Sequence, residues 1–506
     1  MAGVELFFGI VGLVDVALRA GDKLIQVASS FRGAESQLSA LAVRIQGSWL
    51  RTKYQLEFLP QVAPLMGEDL QRNQKDILEK LNGVLLATTS HIERIVVDHQ
   101  PHDANGPIEI RRLQYALTRD KLEKSVEELE SWQQRFDYSW YLTMATAGPG
   151  IDERLASMNE TRPDPARLGL PLLRASRAAA GLRSARQEDS GSASVFRSLE
   201  KIDHSSIQRI EESSAFIAQR VDSPQQYILD HTPLSSQQPS SVLVKRFRDL
   251  GRKLMNADPG EFNLLHCKGV TQRRNDANPH IIRGFTFIFE VPRGLSDPRG
   301  LRSLLTSAGS QYTLSSRLKI AKDLARAVNY LHMFGYVHKN IRAENVIVFQ
   351  GNEPDICSAF LVGFDEARHE DAHSGLMGDQ TFENNIYRHP DRQGPGPREY
   401  YIMQHDIYSL GVCLLEIGLC TAITSLLQDI ESMAFTSYRQ QSTFVKNVFL
   451  RETRQSLPNR MGTTYSKVVE TCLTCLDPGN QDFGDETAFQ DEDGVLVLEQ
   501  LETINM

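Results

Sequence analysis

The chain has 506 residues, 41% of them hydrophobic and 24% charged, a globular composition on a length that implies two or three domains. Its formal net charge of -9 excludes a general nucleic-acid binder, whose electrostatic footprint is basic. The six cysteines, at 267, 357, 413, 420, 472 and 475, show no framework spacing, which argues against a disulfide scaffold and for a reducing compartment.

The N-terminus is apolar, but it lacks a basic leader and is interrupted by Glu5 and Asp15, so no secretory signal is expected. The run from Leu6 to Val14 is too short to span a bilayer. A cytoplasmic resting state is the expectation. Residues 1–147 read as all-helical, with periodic apolar runs separated by Pro60, Pro64 and the PHDANGP stretch at 101–107. In the helix expected over 109–137, Leu113, Leu117, Leu122, Val126, Leu129 and Phe136 keep helical spacing. The first helix is unusual. On a helical wheel Glu5, Gly12, Asp15, Arg19 and Asp22 form a narrow polar stripe, and Leu6, Phe7, Ile10, Val11, Leu13, Val14, Ala17 and Leu18 cover the rest. Phe8 projects into the polar stripe. A helix so broadly apolar must be packed in a bundle or placed in lipid. Two readings stay open: a core helix that never leaves, or one that exchanges a protein groove for a bilayer.

From 148 to about 200 the composition shifts to GPG, prolines at 163, 165 and 171, RASRAAAGLRSAR and SGSAS, the signature of a linker. The arginines at 174, 177, 183 and 186 share no helical face, which favours a solvated segment over a lipid-binding helix. A helical pattern from Phe196 to Val221 suggests a brace, giving a linker-and-brace segment over 148–204. Beyond it, SSVLVKRF and GFTFIFEV read as strands, and LSSRLKIAKDLARAVNYLHMFG as a long helix. Strands first and helices afterwards suit a two-lobed α+β domain over 205–506. Cys472 and Cys475 form a C-x-x-C inside an apolar helical run. Without a second ligand pair, they read as buried small residues rather than a metal or redox site.

The stretch YVHKNIRAENVIVF, residues 336–349, carries the strongest motif. It resembles a protein kinase catalytic loop, H-R-D-x-x-x-x-N, with His338, Lys339 and Asn340 in the first three positions and Asn345 in the last. Other motifs occur in the right order: Lys245 in VLVK as the nucleotide-pairing strand lysine, FIFEVP (287–292) as the hinge strand and the helix at 315–334. LVGFDEAR follows for D-F-G, YRHPD (387–391) for A-P-E, and HDIYSLGVCLLEIG with Asp406 and Gly411 for the buried helix of the C-lobe.

The departures are as informative. Asn340 stands where the aspartate base would be, and an amide cannot accept a proton near neutral pH. Gly363 replaces the magnesium-binding aspartate, with Asp365 two residues displaced as a weak substitute. The segment IEESSAFIAQRVDSPQQYILD has no glycine, so no phosphate-cradling loop is expected. Glu261 is the only candidate partner for Lys245 and lies late. Asp391 takes the place of the A-P-E glutamate, with no arginine evident in 477–495 to pair with it. Arg342 is a cation able to replace the catalytic-loop lysine. Losing base, metal ligand and phosphate loop together implies a pseudokinase. Its degenerate positions are His338, Asn340, Arg342, Asn345 and Gly363. Lys245 and Asn345 are left to hold ATP, without magnesium or with it weakly bound.

The first 147 residues resemble the HeLo domain, a helical module of fungal cell-death proteins. The likeness rests on VELFFGIVGLVDVALRAGDKLIQ and the late TRDKLEKSVEELESW helix. A HeLo-like bundle joined to a pseudokinase is similar in plan to the mixed-lineage kinase domain-like effectors. That resemblance implies a signalling effector of regulated cell death or heterokaryon-incompatibility type, with a membrane-active set of Leu6, Phe7, Phe8, Ile10, Val11, Leu13 and Val14. It also implies self-association, an upstream activator protein and membrane lipids as partners on activation. Ser374 and Thr381 in the activation-segment equivalent are candidate phosphorylation sites for another enzyme. An atypical but active Ser/Thr kinase and a non-catalytic scaffold are the alternatives.

Overall fold

The computed structural model describes residues 2–29, 31, 36–95, 112–146, 150–152, 178–181, 183, 194–234, 240–275, 278, 281–306, 312–351, 357–369, 381–428, 430, 433, 435–480, 493–502 and 504. It forms two compact units, one running to Arg183 and the other from Ser184 to Ile504.

The first unit is a helical bundle of α1 (Ala2–Ser29), α2 (Ser36–Val62), α3 (Glu68–Glu93) and α4 (Arg112–Thr146). The α1 face formed by Ile10, Val14, Ala17, Leu24 and Ala28 is buried against α3 and α2. This i, i+4, i+7 pattern is a helical core stripe. The approach of α1 to α2 requires Gly21: a Cβ there would overlap the Trp49 ring. Beside it, Lys53 Nζ donates to Asp22 Oδ1 at 2.8 Å and the Trp49 indole N–H donates to the same oxygen at 3.4 Å. Leu122, Val126, Leu129 and Phe136 are buried on α4 as their spacing predicts. Pro60 does not break α2, which ends two residues later. The PHDANGP stretch lies outside the described residues, as does most of the 148–204 segment.

Two expectations for that segment need correction. Arg183 is not a solvated linker residue. It is 8% exposed, pairs with Asp152 at 2.6 Å and donates to the Met144 carbonyl at 2.7 Å, which extends the first unit past residue 147. The stretch 196–221 is not a brace helix but a hairpin of β1 (Ile202–Arg209) and β2 (Phe216–Arg220). Its apolar residues suit either period when read alone. Pairing of β2 with β3 (Gln226–Pro233) fixes the extended form.

The second unit is two-lobed. An antiparallel sheet in the order β1-β2-β3-β5-β4, with β4 Cys267–Arg274 and β5 Ile282–Glu290, is accompanied by helix α5 (Ser240–Met255). SSVLVKRF belongs to α5 and not to a strand. Leu243, Phe247, Leu250 and Leu254 are buried on one helical stripe, a period invisible in a window of eight residues. After the one-turn helix α6 (Pro259–Phe262) and β5 come β6 (Ser296–Gly300), α7 (Leu301–Thr306) and α8 (Leu314–Met333). The helix expected at 315–334 is therefore present. Next are β7 (Tyr336–Val337), β8 (Val346–Gln350), β9 (Cys357–Leu361), β10 (Arg368–His369) and α9 (Phe382–Asn385). Then α10 (Met403–Leu419), buried along its whole length, is surrounded by α11 (Tyr438–Gln455), α12 (Pro458–Leu473) and α13 (Asp493–Glu502). Cys472 and Cys475 are buried free thiols, in line with their reading as small buried residues.

Candidate functional site

The site lies at the junction of β3, the 338–345 loop and the segment after β9. Helix α10 positions the loop. Asp406, fully buried, accepts from the backbone N–H of His338 at 2.6 Å and of Lys339 at 2.9 Å. It also accepts from the Tyr401 hydroxyl at 2.7 Å, and its Oδ2 lies 3.1 Å from His332 Nε2. These bonds hold Lys339 at φ +67°, a conformation rare for a side-chain-bearing residue. Burial opposes the Asp406 charge, but the His332 hydrogen bond and the neighbouring imidazoles and phenol hold its pKa below the usual range. His338 is buried, and desolvation lowers its pKa; its ring packs against the Phe364 ring at 5.0 Å.

The residues that would handle phosphate and metal bond to one another. Asn340 Nδ2 donates to Asp365 Oδ1 at 2.8 Å. Asn345 Nδ2 donates to the Asn340 carbonyl at 2.8 Å, and Asn345 Oδ1 accepts from Ser214 Oγ at 2.7 Å. Ser213 Oγ donates to the Glu344 carbonyl at 2.9 Å. Ser213 and Ser214 form the tip of the β1–β2 hairpin, in the place of a glycine-rich loop. The tip therefore lies on the 344–345 loop. Gly363 has φ +82°, and a Cβ there would lie 2.5 Å from Asn345 Nδ2 and 2.6 Å from Oδ1. The missing aspartate is thus replaced by space that the Asn345 side chain fills. Arg342 is engaged by Asn384 and lies 3.7 Å from Glu344, so it is held within the loop.

Lys245 must be reassigned. It is exposed on α5, and Glu261 lies on the separate turn α6. Strand β5 lies between β3 and β4, and on β3 Asp230 is paired opposite Phe287. Asp230, not a lysine, reaches the G-F-D segment. Its Oδ2 accepts from the N–H of Gly363 at 2.9 Å and of Phe364 at 3.1 Å. Desolvation pushes its pKa up to about 6. A carboxylate at this position repels phosphate where a lysine would attract it. Sequence reading misses Asp230 because YILD looks like an ordinary apolar strand end. On α5, the Phe247 ring stacks on Phe285 at 4.3 Å, a hydrophobic contact on the helix where an ion-pairing glutamate was sought.

Further down, Glu416 accepts from the Tyr387 hydroxyl at 2.8 Å and the Ile423 N–H at 2.7 Å. Desolvation raises its pKa to about 7. Because the folded state takes up this proton, Glu416 adds stability below its unfolded value of 4.5, and the contribution disappears as pH rises through 7. Buried His389 and His405, depressed by desolvation to about 2 and about 3, act in the opposite sense below pH 6.5. We therefore expect Glu416→Gln to lose stability more steeply than wild type on acidification from pH 7 to 4.5, by roughly 1.4 kcal/mol per pH unit. Parallel slopes in denaturant titrations at several pH values would contradict this.

Asp391 offers its carbonyl to the Arg398 N–H at 3.0 Å. Most of the 477–495 region in which its partner was sought, residues 481–492, lies outside the described residues, as does Ser374. Thr381 is exposed at the start of α9. Among the described residues, no group of three or more His, Cys, Asp or Glu side chains is arranged to hold a metal ion. No described helix is long and apolar enough to cross a membrane. Of the seven apolar residues singled out on α1, Ile10 and Val14 are buried, Leu6, Phe7, Val11 and Leu13 are half-buried, and Phe8 is 66% exposed.

Residues 291–475 match the protein tyrosine and serine/threonine kinase family. The chain is 24% identical over 186 residues to the dual specificity protein kinase shkC of Dictyostelium discoideum, covering 36% of this chain and 32% of that protein. It is 26% identical over 124 residues to a "Probably inactive leucine-rich repeat receptor-like protein kinase" of Arabidopsis thaliana, covering 23% and 13%. It is 30% identical over 125 residues to a receptor protein kinase-like protein of the same plant, covering 24% and 15%. The chain thus spans about a third or less of the length of these relatives. The C-terminal unit carries a protein kinase-like domain.

Proposed function

We propose that this kinase-like domain transfers no phosphate and serves as the regulatory half of a signalling effector whose output lies in the N-terminal bundle. The observation that carries the reading is the self-occupied site. Asp230 takes the G-F-D amides and Ser214 takes Asn345, while Asn340 supplies no base. Phosphoryl transfer depends on positioning and electrostatic stabilisation of the phosphates, and among the described residues Asn340 and Gly363 lack the needed carboxylates while Asn345 and Asp365 are bonded within the site. Purified full-length protein is expected to show no melting-temperature shift with ATP and magnesium and no transfer of radiolabelled phosphate. Transfer would establish the atypical-kinase alternative instead.

For the bundle we propose the HeLo-type role, a membrane-permeabilising effector of regulated cell death in a fungal setting, cytoplasmic at rest and lipid-bound when activated. Exposed Phe8, set in the polar stripe of α1, supports it. Residues 1–183 should release dye from anionic liposomes, and Phe8→Asp should reduce release to the buffer baseline. Losing a buried Phe and inserting Asp together disfavour the lipid state by about 5 kcal/mol. Because Phe8 is exposed in the packed state, the substitution should leave the melting temperature nearly unchanged. Intact liposomes in every condition would favour the scaffold reading.

A further inference from the structure

The edge of the five-stranded sheet is covered by the chain's own segment Ser194–Arg197. Strand β4 would otherwise present unpaired backbone groups. Instead the Val270 N–H donates to the Val195 carbonyl and the Arg197 N–H donates to the Val270 carbonyl, each at 2.9 Å, making a parallel bridge between Phe196 and Val270. Thr271 Oγ1 donates to the Arg197 carbonyl at 2.7 Å.

The groove is shaped to this segment. A Cβ on Gly251 of α5 would lie 2.8 Å from Val195 Cγ1 and 2.7 Å from Val270 Cγ2, and one on Gly269 of β4, at φ +151°, would lie 2.9 Å from the Val195 carbonyl oxygen. Two side chains are therefore missing along the path of the strap. Val195 is buried at 3% exposure. The Phe196 ring lies 6.3 Å from that of Phe285, with the Arg248 guanidinium 5.8 Å over it. Among the described residues, two backbone bonds, the Thr271 hydroxyl and the side chains of Val195 and Phe196 hold the strap, whereas β5 pairs along seven residues on each side.

We propose that the groove between β4 and α5 is a peptide-recognition site of the kinase-like unit, filled in the resting protein by a displaceable internal strap. Its ligand is an extended peptide that adds a parallel strand to β4, placing a β-branched residue between Gly251 and Val270 and an aromatic residue beside Phe285 and Arg248. Backbone bonds provide affinity and the two pockets provide selectivity. A partner carrying this pattern would displace the segment that joins the unit to the preceding linker.

The test uses the full-length protein and a fluorescent peptide of residues 191–200. A Val195→Asp/Phe196→Asp variant, its strap disabled, is expected to bind the peptide at least about tenfold more tightly than wild type, whose tethered strap competes at high effective concentration. A peptide with Asp in place of Phe196 should bind neither protein. In wild type, the Arg197 and Val270 amides should exchange hydrogen together and at least about tenfold faster than the β5 amides, because the strap opens without the sheet. Equal peptide binding by variant and wild type would overturn the proposal. So would exchange of the strap amides in step with β5, a measurement that decides even if the double variant fails to fold.

Discussion

Asp406→Ala is expected to lower the melting temperature of the protein by roughly 10 °C, corresponding to about 4 kcal/mol. The carboxylate serves the His338 and Lys339 amides, the Tyr401 hydroxyl and the His332 imidazole from within α10. Alanine leaves these groups in a site closed to water, and each buried donor left unsatisfied costs about 1–3 kcal/mol before the loop relaxes. The positive φ of Lys339 then loses the contacts that hold it. Asp406→Asn keeps one accepting oxygen, so about half the loss is expected. Wild-type Asp406, with its depressed pKa, contributes stability above the unfolded carboxylate value, and that contribution falls away in acid below about pH 4. A melting curve for Asp406→Ala within two degrees of wild type would show that the loop holds its own conformation.

Restoring the kinase residues should not restore a kinase. In a triple variant, Asp230→Lys, Asn340→Asp and Gly363→Asp, transfer of labelled phosphate is expected to stay at background. The reason is steric as well as chemical. Any side chain at 363 enters the space of the Asn345 amide, and an aspartate there must also adopt a left-handed backbone, at about 1–2 kcal/mol. Displacing Asn345 breaks its bonds to Ser214 and Asn340, worth about 1 kcal/mol each. Gly363→Asp alone is therefore expected to destabilise the protein by about 3 kcal/mol. Asp230→Lys would bury an ammonium against two N–H dipoles that now point at a carboxylate. Measurable transfer by the triple variant would mean that the cleft opens easily and that only the three side chains silence it.

Much of this could be read along the chain. The 336–349 loop, the hinge strand, the G-F-D segment and the α10 helix are each continuous in sequence, so their residue patterns can be recognised locally even though their contacts are long-range. The substitutions Asn340 and Gly363 are visible for the same reason. The face of α1 is also legible, because one helix in isolation fixes which residues share a stripe. Phe8 falls in the polar stripe and is exposed.

What escaped depends on pairing across long separations. Read alone, VLVK suits a strand and makes Lys245 a candidate for the nucleotide-pairing lysine. Only the longer stripe of Leu243, Phe247, Leu250 and Leu254, buried under the sheet, makes it a helix and leaves Asp230 on the strand that matters. The hairpin at 202–220 is extended because β3 is available to pair with it, and no window inside the hairpin contains that partner. The sequence by itself determined that Asn340 and Gly363 stand where the kinase pattern has its two aspartates, because those are identities at fixed motif positions. That these places are filled from within, by Asp230, Ser214 and the Asn345 amide beside Gly363, was decided by tertiary structure alone: Asp230 and Ser214 reach partners more than a hundred positions away, and the close approach of Asn345 to Gly363 depends on how two separate segments pack.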